Sequence, residues 1–298
     1  MSKTMPETVS TEDTDGLVEE LKDIIDGEVR FDRMTRALYS TDASIYQIDP
    51  IGVVFPRNAD DVVAVIETAA LRGVPVLPRG GGTSLAGQAV GHAIVMDFSK
   101  YMRRVLAIDI EQGWVKTEPG IILEELNQKL ETHGFQFGPD PSTSNRGNVG
   151  GALGNNSCGA HSILWGKTID NVIDLEAVLS DGSRVNLGPL TSDELDKKIR
   201  LEGLEGNIYR RLFEIGDSAR DEIIARYPKI LRRVSGYNLD EIISDSKFNS
   251  ARFVVGSEGT LLAITGAKLK LVPLPRFKGL AVIHFREIIE SMEATVVT

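Results

Sequence analysis

The chain has 298 residues, 42% hydrophobic and 26% charged, with a formal net charge of −10. This is enough apolar material for one large domain or two smaller ones, and it excludes a disordered polymer. The acidic balance argues against nucleic acid as a main partner, because phosphate backbones demand clustered Lys and Arg. No apolar run approaches the ~20 residues a membrane span needs.

Residues 1–16 are polar and acidic, lack the basic-then-apolar order of a secretory signal, and read as a disordered tail. Apolar residues from Leu17 to Ile25 fall at helical spacing, so a helix is expected over about 15–26. The stretch from Tyr39 to Pro50 has no clear period and reads as an ordered loop. Gly52–Pro56 is a short strand. Asn58 is placed to cap a helix from Ala59 to Arg72, with Val62, Val63, Ile66 and Ala69/Ala70 on its buried face and Gly73 ending it. Val74–Leu77 is the next strand, and a glycine loop follows it. Ile94–Asp97 and Val105–Ile110 are strand-like. Glu111-Gln112-Gly113 turns the chain back into Trp114–Thr117 as a hairpin.

Leu123, Leu126 and Leu130 mark a helix over about 121–133, closed by Gly134. Phe135 to Asn171 carries little regular pattern and much Gly, Asn, Ser and Pro; an irregular region that long in a compact chain is usually functional. Asn171–Leu179 is a strand, Asp181-Gly182 a hairpin turn, and Ser183–Leu187 its return. Thr191 and Glu194 have capping-box spacing. A longer helix is expected from Asn207 to Arg226, stopped by Pro228, with its charges on a solvated face. Arg252–Val255 reads as a strand, Leu261–Ile264 and Ala267–Val272 continue as sheet, and Leu280–Phe285 is a further strand. A helix begins at Glu287. The last strand and helix follow a Pro-flanked hinge and read as the opening of a further domain.

Three glycine-rich segments stand out. The first is Pro78-Arg79-Gly80-Gly81-Gly82-Thr83-Ser84, continuing through Gly87 and Gln88. Adjacent glycines reach positive φ and remove every Cβ from one side of a turn, so successive N–H groups can face one concavity, a nest for an anion. Thr83 and Ser84 add hydroxyls; Arg79 either adds charge or points away and pairs elsewhere. The second runs from Asp140 to Cys158, dominated by small residues. The third is Gly256-Ser257-Glu258-Gly259-Thr260. Spread over ~180 residues, they make sense if the fold gathers them around one long ligand with phosphates and aromatic rings. Two nucleotide signatures fail. A Walker loop ending at Gly166-Lys167-Thr168 would need Gly where His161 stands, and a Rossmann fingerprint from Gly80 and Gly82 would need Gly at Leu85.

The run from Pro78 to Gln88, then Gly150 to Gly159 with Gly166 to Val172, then Gly256 to Leu261, resembles the FAD-binding domain of the vanillyl-alcohol oxidase/PCMH flavoprotein superfamily. Within it, the pattern is most similar to the FAD-linked D-2-hydroxyacid dehydrogenases of the D-lactate, glycolate and D-2-hydroxyglutarate type. Arg233–Asp240 and Tyr39–Ser44 look like the large members that fuse this domain to an iron–sulfur C-terminal half. The similarity covers about residues 17–298.

The resemblance implies an α/β (α+β) fold: a PCMH-type FAD-binding domain over 17–275, in two subdomains of about 17–110 and 111–275, with 276–298 starting a C-terminal cap domain. It implies that FAD is lined by Pro78, Arg79, Gly80, Gly81, Gly82, Thr83, Ser84, Gly87, Gln88, Pro141, Ser142, Gly150, Gly151, Gly154, Asn155, Ser157, Cys158, Gly159, Glu258, Gly259 and Ile264. Residues 78–84 would wrap the pyrophosphate. Some relatives attach flavin covalently through a histidine in the first loop; Thr83 stands there, so FAD is expected to be noncovalent. The implied chemistry is oxidation of a 2-hydroxy acid by hydride transfer to flavin N5, with electrons passing to a quinone, a cytochrome or an iron–sulfur domain. A divalent metal and an iron–sulfur cluster belong to the later part of such proteins. The catalytic residues therefore stay unassigned, and no metal site is expected in this chain. The single cysteine, Cys158, allows no internal disulfide and fits a reducing compartment, so a cytoplasmic location, or one peripheral to the inner membrane, is expected. The alternatives are an FAD-binding module or subunit without turnover alone, and an alkyl-glycerone-phosphate-synthase-like flavoenzyme.

Individual side chains carry competing readings. His161 bonds the cofactor or orders its loop, the latter favoured. Cys158 reacts with flavin or packs as a thiol, the latter favoured. Lys167 faces the flavin or covers its loop through a salt bridge. Arg146 holds phosphate, holds a substrate carboxylate, or does neither. Glu258 accepts local hydrogen bonds at a strand end.

Overall fold

The computed structural model describes residues 11–243, 248–277 and 279–296. Residues 1–10 of the expected tail lie outside these. From Thr11 the chain is helical, as α1 (Thr11–Ile24), which buries Leu17 and Leu21.

A first four-stranded sheet follows. It is made of β1 (Glu28–Arg30), β2 (Gly52–Phe55), β3 (Val76–Arg79) and β4 (Ile94–Asp97), in the order β1-β2-β4-β3. β2 and β3 both run parallel to β4, and β1 pairs antiparallel with β2. α2 (Arg33–Tyr39) lies between β1 and β2, and α3 (Ala59–Leu71) between β2 and β3. β2 and β4 are buried on both faces, which explains their unbroken apolar runs. Val54, Ile94 and Met96 join α1 and α3 on one side; Val53, Phe55 and Val95 pack with Tyr39, Leu77 and Tyr101 on the other.

The Asn58 side chain accepts from the Asp61 amide at 2.9 Å, the expected cap on α3. The buried face of α3 is Val62, Val65, Ile66 and Ala69; Val63 is half-buried and Ala70 exposed. α2 was not foreseen; Asp32 caps it through the Thr35 amide at 3.0 Å.

The second lobe is an antiparallel sheet ordered β5-β6-β12-β8-β9, with β7 also on β12. Its strands are β5 (Val105–Asp109), β6 (Trp114–Thr117), β7 (Phe135–Phe137), β8 (Val172–Val178), β9 (Arg184–Leu187) and β12 (Ala263–Pro273). β5 and β6 form the foreseen hairpin, so β5 belongs to this sheet. α4 (Leu123–Glu131), α5 (Val149–Asn155) and α6 (Ser162–Trp165) lie before β8. Small β10 (Pro189–Leu190) pairs with β11 (Phe248–Asn249); α7 (Ser192–Ile199), α8 (Gly203–Ser218) and α9 (Arg220–Arg226) come between them, and α10 (Ser250–Val254) follows. One core joins α4, α5, α8, α10 and this sheet. Val178 and Ala263 of this sheet also reach the first lobe's core, so the lobes are fused by packing.

Three expectations change. The helix over 207–226 starts at Gly203 and divides at Ala219, where the Ser218 hydroxyl donates to the Glu214 carbonyl at 2.7 Å and competes with the helix ladder. The Arg252–Val255 strand is the helix α10, because Asn249 caps it through the Arg252 amide at 3.1 Å. Leu280–Phe285 forms no strand: no described residue pairs with it, and it stays exposed. The chain is helical again in α11 (Ile288–Thr295).

Candidate functional site

A cavity of about 420 Å³ lies between the lobes, a size suited to a cofactor. All three glycine-rich segments meet in it. Pro78 to Ser84 and Gln88 border it, with Pro141, Ser142, Gly150, Gly151, Gly154, Asn155, Ser157, Cys158, Glu258, Gly259 and Ile264. Gly87 and Gly159, expected at the site, are not among the lining residues. Gly87, at φ +85°, packs on the Tyr46 ring, and Gly159 packs on Asp140, where a Cβ would collide.

The first wall is the glycine loop leaving β3. Pro78 and Arg79 belong to the strand itself, two residues later than the pattern implied. Among the described residues, the N–H groups of Gly81, Gly82, Thr83 and Ser84 find no protein acceptor, and neither do the Thr83 and Ser84 hydroxyls donate to one. A run of free amides after a strand is an anion nest. Arg79 resolves toward the bracing role. Its guanidinium donates to the carbonyls of Ala89 (2.8 Å), Thr41 (2.8 Å) and Tyr39 (3.2 Å), and stacks over the Tyr39 ring. Burial pulls its pKa down. The Tyr39 hydroxyl donates to buried Asp97 at 2.5 Å; burial first, then the Asp97 charge, pushes the phenol pKa up. This cluster holds the loop from outside and leaves its backbone facing the cavity.

The second wall is α5 with its flanks, inside the region that shows no periodicity. Gly150 presses on Pro119, and its N–H donates to the Pro119 carbonyl at 2.7 Å. Gly151 faces open space: a Cβ there would meet nothing within 4 Å. Asn156 ends the helix at φ +49°, and its side chain accepts from the Ile169 amide at 3.1 Å.

The third segment docks on that helix end. The Gly256 amide donates to Leu153 at 2.9 Å and the Glu258 amide to Gly154 at 3.0 Å. Glu258 sits at φ +53°, so both non-glycine residues with positive φ in the described chain border the cavity. The Glu258 carboxylate accepts from the Gln88 side chain at 2.9 Å, joining the lobes across the opening. Arg233–Asp240 braces this segment: Arg233 grips Asp240 with two bonds, Asn238 donates to Val255 at 2.5 Å, and Tyr237 meets Thr260 at 2.8 Å.

His161 takes the loop-ordering role, donating from Nδ1 to Asp140 at 2.5 Å. Lys167 ties its loop to the Leu231 carbonyl at 3.0 Å and to Asp170 at 3.3 Å, outside the cavity. Arg146 also lies outside the lining and donates to Asn145. Cys158 borders the cavity, half-buried. Phe98, Pro119, Leu123, Val234 and Leu262, which lie outside the glycine-rich segments, also border the cavity and were not foreseen; no local pattern marks them.

The residues present fit FAD. The free amides suit a pyrophosphate, and the open space over Gly151 leaves room for a flat ring against the second wall. Among the described residues no group of His, Cys, Asp and Glu forms a metal cage, and no helix is long and apolar enough to cross a membrane.

Residues 50–188 match a family model described as FAD binding domain. The chain is 35% identical over 273 residues to D-2-hydroxyglutarate dehydrogenase of Pseudomonas putida, covering 89% of this chain and 27% of that protein. It is 38% identical over 259 residues to D-2-hydroxyglutarate dehydrogenase of Escherichia coli K12, covering 85% of this chain and 25% of the relative. It thus spans about a quarter of the length of these two relatives. A solved structure of alkyldihydroxyacetonephosphate synthase superposes with a TM-score of 0.63 at 20% identity, over 88% of this chain and 41% of that one, which shows a shared fold. The gathered glycine segments and these matches together identify an FAD-binding domain in this chain, similar over most of its length to the corresponding part of D-2-hydroxyglutarate dehydrogenases.

Proposed function

We propose that this chain is the FAD-binding portion of a flavin-dependent dehydrogenase acting on a D-2-hydroxy acid of the lactate, glycolate or 2-hydroxyglutarate class. The observation that carries the reading is the meeting of three glycine-rich segments, distant in sequence, around one interlobe cavity. The similarity to D-2-hydroxyglutarate dehydrogenases supports the substrate class.

Bound FAD would supply the two-electron acceptor for carbinol oxidation. The chain's own residues supply binding and orientation. The free amides from Gly81 to Ser84 would hold the pyrophosphate. The small residues Gly150, Gly151 and Gly154 would let a flat ring system approach the backbone. Gln88 and Glu258 would close the opening and limit water entry. Among the described residues no histidine borders the cavity, and Thr83 occupies the loop, which supports FAD held without a bond to histidine. A quinone, cytochrome or iron–sulfur domain would then take the electrons.

The test is a visible spectrum of the purified chain before and after acid precipitation. It is followed by anaerobic mixing with D- and L-2-hydroxyglutarate, D-lactate and glycolate. Flavin released to the supernatant, and bleached before precipitation by a D-acid but not its L-enantiomer, is the expected result. A folded, colourless protein that refuses added FAD overturns the binding reading. Flavin that no acid bleaches leaves a binding module without turnover by this chain.

A further inference from the structure

Two surface segments turn large aliphatic side chains outward. In α6, Ser162 is buried and its hydroxyl accepts from the Gly159 amide at 2.9 Å, while Ile163 is 78% and Leu164 73% exposed. Ile230 and Leu231 are 64% and 56% exposed. Hydrogen bonds hold the second segment along both ends of α6. The Arg232 guanidinium donates to the Gly159 carbonyl at 2.7 Å, and Lys167 Nζ donates to the Leu231 carbonyl at 3.0 Å. The four aliphatics therefore belong to one patch. Single exposed aliphatics are ordinary, whereas a contiguous exposed patch marks an interaction site.

The charge around the patch runs against that of the chain, which is −10 overall. No Asp or Glu lies between Asp140 and Asp170, or between Glu222 and Asp240, the two stretches that carry it. The acids that bound these stretches are each occupied: Asp140 by His161, Asp170 by Lys167 and Arg252, Glu222 by Arg226, and Asp240 by Arg233. Lys229 and Arg232 are exposed, and among the described residues neither pairs with a carboxylate.

We propose that this patch docks the protein on an anionic lipid surface. Ile163, Leu164, Ile230 and Leu231 enter the headgroup boundary, and Lys229 and Arg232 pair with lipid phosphates. Buried apolar area and attraction to anionic lipid add in such interfacial binding. The aliphatic tips stand more than half exposed on a four-residue helix and a loop. A lipid boundary accepts such projections without a matching pocket, whereas a protein partner has to supply complementary shape. A second apolar segment, from Phe277 to Val296, is exposed too. Glu287, Glu290 and Glu293 lie in and beside its helix α11, and anionic lipid repels them. Charge complementarity therefore selects the patch on α6 and residues 230–231. The proposal stands apart from the FAD reading.

The experiment is flotation of the purified chain with phosphatidylcholine vesicles, with and without phosphatidylglycerol at about one lipid in three, at low and raised salt. Melting temperature and flavin content are recorded for every variant. The chain should float with the anionic vesicles and not with phosphatidylcholine alone, and added salt should release it. Ile163→Ser combined with Ile230→Ser should weaken binding roughly tenfold or more. Lys229→Gln should weaken it roughly fivefold. Ile288→Ser combined with Ile289→Ser should bind like the parent. No flotation with anionic vesicles, or equal flotation with both kinds, overturns the proposal. So does unchanged binding in the Ile163/Ile230 variant, or loss in the Ile288/Ile289 variant. A lipid-free dimer that the Ile163/Ile230 variant dissolves assigns the patch to a second copy of the chain and overturns it as well. If that variant melts early, Lys229→Gln and salt decide: binding indifferent to both overturns the proposal. A colourless chain that floats as expected speaks against the FAD reading and leaves this proposal standing.

Discussion

The two walls of the cavity are built by different means. The first, Pro78 to Ser84, leaves the end of a buried parallel strand, and its shape comes from glycines in sequence plus one arginine that grips three carbonyls. The second, Asn148 to Cys158, contains a seven-residue helix with three glycines, which on propensity alone would not form. It forms because Val149, Ala152 and Leu153 are buried and because Gly150 fits against Pro119. One wall is a local device held from behind; the other is a product of packing. Changes to the first should therefore act on ligand binding more than on folding, and changes to the second on both.

The largest effect expected is for Gly81→Glu. Its Cβ would meet the Arg146 carbonyl, and its charge would sit in the nest meant for phosphate. Flavin content of the purified protein should fall to background while the far-UV circular dichroism is kept; normal flavin content would show that the loop is not the phosphate site. Leu153→Ala tests the other wall. Leu153 is fully buried in α5, so the change should cost about 2–5 kcal/mol in denaturant unfolding and weaken flavin binding with it. Stability lost by less than about 1 kcal/mol would mean that the helix does not depend on its core contact.

Arg79→Met should fall between these. It strands the carbonyls of Tyr39, Thr41 and Ala89 and frees the first wall from its brace. A stability loss of about 1–3 kcal/mol is expected, with FAD affinity down roughly tenfold and no rescue by Arg79→Lys, which lacks the planar fork. Full rescue by lysine would argue for charge instead of geometry. The smallest effect belongs to Gln88→Ala, which removes the bond to Glu258 across the opening. An exposed bond of this kind contributes about 0.5–1.5 kcal/mol. FAD release measured by stopped flow should quicken a few-fold, with stability lowered by no more than that amount; an unaltered release rate would show that the lobes are held together elsewhere.

The sequence alone determined most of the first lobe and of the cavity's chemistry. Unbroken apolar runs marked β2 and β4, Asn58 marked the start of α3, and the glycine triplet marked the nest, because each depends on neighbours within a few residues. It also identified most of the glycine-segment residues that border the cavity, since the need for small residues is written in the residue types themselves. Tertiary structure decided the rest. Only burial makes α5 a helix, and only the docking of residues 256–258 on its end places Glu258 at positive φ beside Gln88. Arg79 turns outward because carbonyls from residues 39, 41 and 89 converge on it, a meeting that no local pattern encodes. Asn148 becomes an unsatisfied acceptor only once Gly120 claims its amide nitrogen and Gly80 closes over its oxygen. Local chemistry is short-ranged and can be read from neighbours along the chain; packing and hydrogen-bond satisfaction depend on residues brought together by the completed fold.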